Sequence, residues 1–203
     1  MKKICLLLIS LLFLNGCARG ESNYDSVQDK LMNMTAYSAD VEINYINGGE
    51  NAIYKVKQTA ANDGRYKMVT YYPENLKDCA ILFDGKLIWQ YNPNVEKKIQ
   101  VNSKDKPERS QLVLFTFLEN YVKSINTTVT TAKTEGQQCV VLEAEINSGD
   151  KFMAKEKLWA GSEDMLPKRL VIYDGDGNET IVVTFNSFEY NPKLLEDEFV
   201  PQK

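Results

Sequence analysis

A chain of 203 residues with no histidine cannot run general-base catalysis through imidazole, build the serine or cysteine triads that use it, or assemble a His-Glu-x-x-His metal site. Its formal charge of −4, from 24 basic and 28 acidic residues without a basic run, argues against nucleic acid and against electrostatic attachment to an anionic bilayer. Lysine or carboxylate chemistry survives those exclusions, and the length fits one domain with its own core.

Lys2 and Lys3 precede an apolar run from Ile4 to Leu14. A membrane-spanning helix needs about 20 apolar residues, so this run is too short to span. A charged start, a short apolar middle and small residues at the end describe a secretory signal. Leu14-Asn15-Gly16-Cys17 resembles a bacterial lipoprotein lipobox, with Asn15 departing from the small or branched residue usual before the glycine. The resemblance implies cleavage after Gly16 and a diacylglyceryl group on the Cys17 thiol, with the new amine open to acylation: covalent lipid, and no bound cofactor. Removing residues 1–16 leaves 187 of the 203, and losing Lys2 and Lys3 takes the charge from −4 to −6. Buried acyl chains hold such a protein at roughly 0.8 kcal/mol per methylene. Residues 17–23 then form a short lipidated tether, which keeps a single domain at 24–203 close to the bilayer.

Tyr24, Val27, Leu31 and Met34 recur at helical spacing, with Ser22 or Asn23 placed to cap. From Val41 onward, period two dominates. Val41, Ile43 and Tyr45 alternate with polar residues, the Asn47-Gly48-Gly49 turn leads into Ile53–Thr59, and Asn62-Asp63-Gly64 leads into Arg65–Tyr71. Cys79–Asp84 turns at Asp84-Gly85, and Leu87, Trp89 and Tyr91 return on one face before Asn92-Pro93-Asn94 and the pair Ile99 and Val101. Ser110 opens a second helix over Gln111–Ser124, with Leu114, Leu118, Tyr121, Val122 and Ile125 on one side and Phe115 and Phe117 widening it. Five further strands follow: Thr128–Lys133, Gln138–Ile146, Phe152–Trp159, Lys168–Tyr173 and Thr180–Tyr190. Short turns between about eleven strands predict an antiparallel meander.

Within that pattern few residues invite chemistry. Glu143 and Glu145 share a face with Cys139 and Val141, opposite the apolar Val140, Leu142, Ala144 and Ile146, which fits a solvated outer face better than a catalytic carboxylate pair. Asp174-Gly175-Asp176-Gly177-Asn178 has calcium-loop character but carries Glu179 at the sixth position and Phe185 at the twelfth, where such a loop needs glycine and glutamate. Aspartate-glycine between apolar strands is a hairpin turn. Cys79 and Cys139, left after Cys5 leaves with the signal, either form one disulfide or serve as small buried hydrophobes. No spacing suggests a metal site, and the chain is expected to be non-catalytic.

Four stretches in order carry a resemblance. Phe83-Asp84-Gly85-Lys86-Leu87-Ile88-Trp89-Gln90-Tyr91-Asn92-Pro93 is similar to the Asp-Gly-x-x-x-Trp-x-Tyr-x-Pro hairpin of the LolA/LolB-like lipoprotein carrier superfamily. Leu158-Trp159 with Leu166-Pro167-Lys168-Arg169-Leu170, then Asp174–Thr180, then Phe185-Asn186 through Tyr190-Asn191-Pro192 to Phe199-Val200-Pro201 follow the same family. The likeness covers residues 80–203, and by pattern 22–79. It implies a half-open antiparallel barrel of about eleven strands, a mainly β fold with a few helices on the concave face. A lipobox departs from the freely shuttling carrier type, and nothing speaks for an outer membrane. Lysine-, asparagine- and tyrosine-rich usage with no histidine suggests an AT-biased genome, often that of a Gram-positive anaerobe.

Among lipidated members, the chain looks most like the spore germination lipoproteins of the GerS type. That likeness implies an anchored extracytoplasmic protein that binds a cortex-modifying N-acetylmuramoyl-L-alanine amidase and supports formation of muramic-δ-lactam in spore peptidoglycan. The alternative is a carrier of lipid or another apolar ligand, walled by Tyr54, Tyr66, Met68, Phe83, Trp89 and Trp159. An open half-barrel also exposes edge strands, which predicts homodimers by strand pairing.

Overall fold

The computed structural model describes residues 23–48, 50–95, 97–102, 109–147 and 149–201. The signal segment, Cys17 and the tether up to residue 22 lie outside the described residues. Asn23 already belongs to the first helix, α1 (Asn23–Met32).

The alternating segments all become strands: β1 (Ala36–Asn47), β2 (Glu50–Ala61), β3 (Tyr66–Tyr72), β4 (Ala80–Phe83), β5 (Leu87–Asn92), β6 (Lys97–Asn102), β7 (Thr128–Thr134), β8 (Gln137–Glu145), β9 (Lys155–Gly161), β10 (Pro167–Tyr173) and β11 (Glu179–Tyr190). They form one antiparallel sheet in the order β6-β5-β4-β3-β2-β1-β11-β10-β9-β8-β7. First and last strands pair at the centre, and two meanders run outward to edges β6 and β7. Among the described residues those edges do not pair, so the barrel stays half open, as the sequence predicts.

This topology explains where the second helix lies. The chain leaves β6 at one edge and enters β7 at the other, so the connection must cross the sheet. It carries α2 (Leu114–Lys123), which packs on β8. The inner face under the helices is apolar because register aligns every alternating run. Tyr54, Ile43, Val183, Leu170, Leu158, Leu142 and Val129 form one continuous row across seven strands. With Val27, Leu31, Phe117 and Leu118 from the helices, they make the core. A bulge in the β1–β11 register at Asp40/Val41 adds the local twist that helps curl a sheet.

Two expectations need correction. The second helix does not run unbroken from Gln111. Ser110–Leu112 form a 3-10 turn, and Val113 is extended (φ −92°, ψ 128°) before α2 begins. The helix then ends at Lys123 with Ser124 extended, so Ile125 leaves the helical face and is 97% exposed, while Val122 points outward at 68%. Phe152 precedes β9 in an exposed loop. Cys79 and Cys139 are free thiols, and six strands separate β4 from β8 in the sheet, which settles the open question against a disulfide.

Candidate functional site

The inner face is where members of such a fold could hold an apolar ligand, and among the described residues it is packed with the chain's own side chains. Tyr37 and Gln58 are fully buried on neighbouring strands of that face. The Tyr37 hydroxyl donates to Gln58 Oε1 (2.5 Å) and accepts the Leu114 N–H (3.0 Å), while Gln58 Nε2 donates to the Leu112 carbonyl (3.2 Å). Tyr37 thus supplies a partner for an N–H that the first turn of α2 would otherwise leave orphaned. Farther along, Asn120 Nδ2 donates to the buried Glu156 (2.8 Å), and the Tyr121 hydroxyl donates to Gln28 Oε1 of α1 (2.9 Å). Both helices are pinned to the sheet and to each other.

The space left between Ile43, Tyr45, Tyr54, Met68, Arg109 and Leu112 is a cavity of about 20 Å³. That is room for a water, whereas pockets for drug-sized ligands run to roughly 300 Å³ and more. Burial pushes the Tyr45 and Tyr66 phenols up, with the nearby Arg109 charge acting in the opposite direction.

Of the six proposed wall residues, Tyr54, Tyr66, Met68 and Phe83 do face inward, and the Tyr66 and Phe83 rings lie 5.9 Å apart. Trp89 and Trp159 do not join them. Register puts Trp89 in a lateral row with Leu82 and Lys67, alternating with the inner-face Phe83 and Ile88, and puts Trp159 beside Arg169 and Val141. Both indoles therefore lie on the outer face. Trp89 Nε1 donates to Asp84 (2.9 Å), whose carboxylate also accepts the Lys86 and Leu87 N–H groups, and Arg169 lies 5.5 Å from the Trp159 ring centroid. Beside Trp89, an outer groove of about 390 Å³ runs between Val69, Leu82, Tyr91 and the C-terminal Val200-Pro201; periodicity alone gave no sign of it.

The rest of the outer face is a set of cross-strand ion pairs: Lys55–Glu42, Lys57–Asp40, Arg169–Glu179, and Lys155 and Lys157 on Glu143. Glu143 is thus a paired outer-face carboxylate, and Glu145 accepts from Asn126. The Asp174 carboxylate is consumed by its own turn, accepting from Asp176 N, Asn178 N and Asn178 Nδ2. Among the described residues no group of three or more Cys, Asp or Glu is arranged to hold a metal, and no helix is long and apolar enough to cross a membrane.

The family model of the sporulation protein YdcC-like proteins matches residues 1–199. The chain belongs to that family. Solved structures match this YdcC-like chain nearly end to end. A conserved protein from Thermus thermophilus aligns with a TM-score of 0.58 at 12% identity, over 89% of this chain and 94% of that one. The structure of the CwlD amidase from Clostridioides difficile in complex with the GerS lipoprotein aligns with a TM-score of 0.51 at 22% identity, over 94% and 99%. An outer membrane lipoprotein-sorting protein domain from Vibrio parahaemolyticus aligns at 0.50 and 14%, over 88% and 94%. At these identities the likeness establishes the LolA-like fold of the YdcC-like chain. No protein with a curated description matches it.

Proposed function

We propose that this YdcC-like protein is a lipid-anchored, extracytoplasmic and non-catalytic binding protein that serves spore germination. It holds a cortex-modifying N-acetylmuramoyl-L-alanine amidase at the membrane and supports formation of muramic-δ-lactam in spore peptidoglycan. Family membership supports the sporulation setting, and the likeness to the GerS–CwlD complex supports an amidase partner. Cys17, freed by cleavage after Gly16, is the anchor, and residues 18–22 keep the domain near the bilayer.

The observation that carries this reading over the carrier alternative is the packing of the inner face among the described residues. Beside Leu112 the space between Ile43, Tyr45, Tyr54 and Met68 is about 20 Å³, far less than an acyl chain needs, and α2 is held over the sheet by hydrogen bonds to Tyr37 and Glu156. The open sheet also leaves an edge for a second copy of the chain, and light scattering at micromolar concentration reads that association directly.

The test is affinity capture of a tagged full-length chain from sporulating cells, with mass spectrometry of protein and lipid. Recovery of an amidase in equal amount supports the proposal, together with loss of muramic-δ-lactam when the protein is deleted. Recovery of acyl species without an amidase would hand the function to the carrier alternative.

A further inference from the structure

We infer that the partner is held by adding one of its own extended strands to β7, with Ile125 as the apolar anchor beside the joint. Among the described residues the inner face is packed under both helices, and outer-face charges pair across strands. Apart from the outer groove beside Trp89, the described residues leave backbone hydrogen bonding open at the two sheet edges. The edges are not alike. β6 opens with Lys97-Lys98, and lysine on an edge strand discourages pairing. β7 reads Thr128-Val129-Thr130-Thr131-Ala132-Lys133-Thr134. It has no proline, no acidic residue and no bulge in its register with β8, and its β-branched residues suit a pleated partner. Natural edges of this length are ordinarily blunted by one of those devices; β7 has only Lys133, near its far end.

Immediately ahead of β7 stands Ile125, 97% exposed. It is held out by an ordered loop. Ser124 N–H donates to the Asn120 carbonyl (2.8 Å), Ser124 Oγ donates to the Asn126 carbonyl (3.1 Å), and Asn126 Nδ2 donates to Glu145 (3.1 Å). A large aliphatic side chain fixed in water on a pinned loop loses little entropy when a partner covers it. Val122, on the last turn of α2, is 68% exposed as well. The occupant this edge fits is a polypeptide strand that is uncharged along Val129 to Ala132, carries a carboxylate near Lys133, and has an apolar recess for Ile125.

This inference rests on the amidase reading above, and its test separates the two. The probe is the purified amidase encoded by the same genome, titrated against the full-length chain in detergent by biolayer interferometry. Neighbouring strand residues direct their N–H groups to opposite sides. One of Thr130→Pro and Thr131→Pro therefore blocks the open edge without touching the ladder to β8, and the other breaks that ladder. Ile125→Asp changes only a solvent-exposed side chain. The expected result is that Ile125→Asp weakens binding about tenfold or more, the scale of one hot-spot residue, with an unchanged melting temperature, and that the folded proline variant loses binding. Undiminished binding by every folded variant would overturn docking at β7 while leaving the amidase partner in place. Failure of the unaltered chain to bind removes the amidase reading and this inference with it. A dimer of the chain that Ile125→Asp dissolves, with no amidase bound, would overturn the inference by giving the edge to a second copy.

Discussion

The hydroxyl of Tyr37 accepts the N–H of Leu114 at 3.0 Å, joining the first strand of the sheet to the first turn of the helix that crosses it. The same oxygen donates to Gln58 Oε1. Tyr37→Phe therefore strands two buried polar groups while keeping the ring and its stack on Phe188 at 5.3 Å. Leaving a buried group unsatisfied costs about 1–3 kcal/mol. The expected outcome is a loss of that order in urea denaturation, with faster amide exchange at the start of α2. Tyr190→Phe, which removes a half-buried hydroxyl bonded to the Lys30 carbonyl, should cost less. A Tyr37→Phe variant as stable as the original chain would show that the link does not hold the helix.

Stability should be level between about pH 5 and 8, because no histidine is present to titrate there. It should then fall at both ends. Burial alone would raise the Asp84 and Glu143 carboxyls, but the Trp89 indole with the Leu87 and Lys86 N–H groups on the first, and the Lys157 and Lys155 ammonium groups on the second, together outweigh it and hold both below their ordinary values. A carboxylate depressed by folding contributes stability above its unfolded value, and that contribution drains as pH drops below about 4. Burial pushes the Tyr37 and Tyr66 phenols up, so their contribution is whole below the unfolded value near 10 and is lost as pH climbs past it. Urea midpoints from pH 3 to 11 check this, and a steep slope between pH 5 and 8 would contradict it.

Much of the sheet was legible because a buried face forces period two. The run from Gln138 to Ile146 places Val140, Leu142 and Ala144 on the inner face, all fully buried, as its alternation predicts. The indoles show where the pattern stops informing. Leu87, Trp89 and Tyr91 do share a face, but alternation cannot say which face is inner, and size alone suggested the wrong one. Near the sheet edge the inner residues of β5 include the polar Gln90 beside Ile88, which blunts the contrast between faces. The helix boundaries failed for a different reason. The break at Val113 and the stop at Lys123 are set by tertiary hydrogen bonds to Tyr37 and around Ser124, and those partners lie far away in sequence. Helical spacing puts Ile125 on one side with Leu114 and Leu118, but the helix ends before it, and it is the most exposed large hydrophobe described.

The two thiols of the domain should both react after unfolding and should never be found joined. Cys139 is buried, and that burial raises its thiol above the ordinary value, so alkylation of the folded protein should be slower there than at the half-buried Cys79. Peptide mapping after timed iodoacetamide treatment separates the two rates. Melting temperatures with and without dithiothreitol should coincide, and a fall on reduction would require a disulfide that the sheet order does not permit.

Leu112 offers a direct examination of the filled concavity. Its side chain is buried, it lines the small residual cavity, and its carbonyl is held by Gln58. Leu112→Ala should cost about 2–5 kcal/mol, as large-to-small core changes do, because the pinned helix cannot collapse onto the space. The enlarged void would be walled by Ile43, Tyr45, Tyr54, Val56 and Met68. An engineered apolar cavity of ~150 Å³ takes up benzene, so the variant should gain a benzene-dependent rise in melting temperature that the unaltered chain lacks. The contrast separates a concavity packed for stability from one kept open for cargo. If the unaltered chain were itself stabilised by benzene, or carried acyl species in native mass spectrometry, α2 would have to be a displaceable cover, and the hydrogen bond between Tyr37 and Leu114 would be a latch that opens.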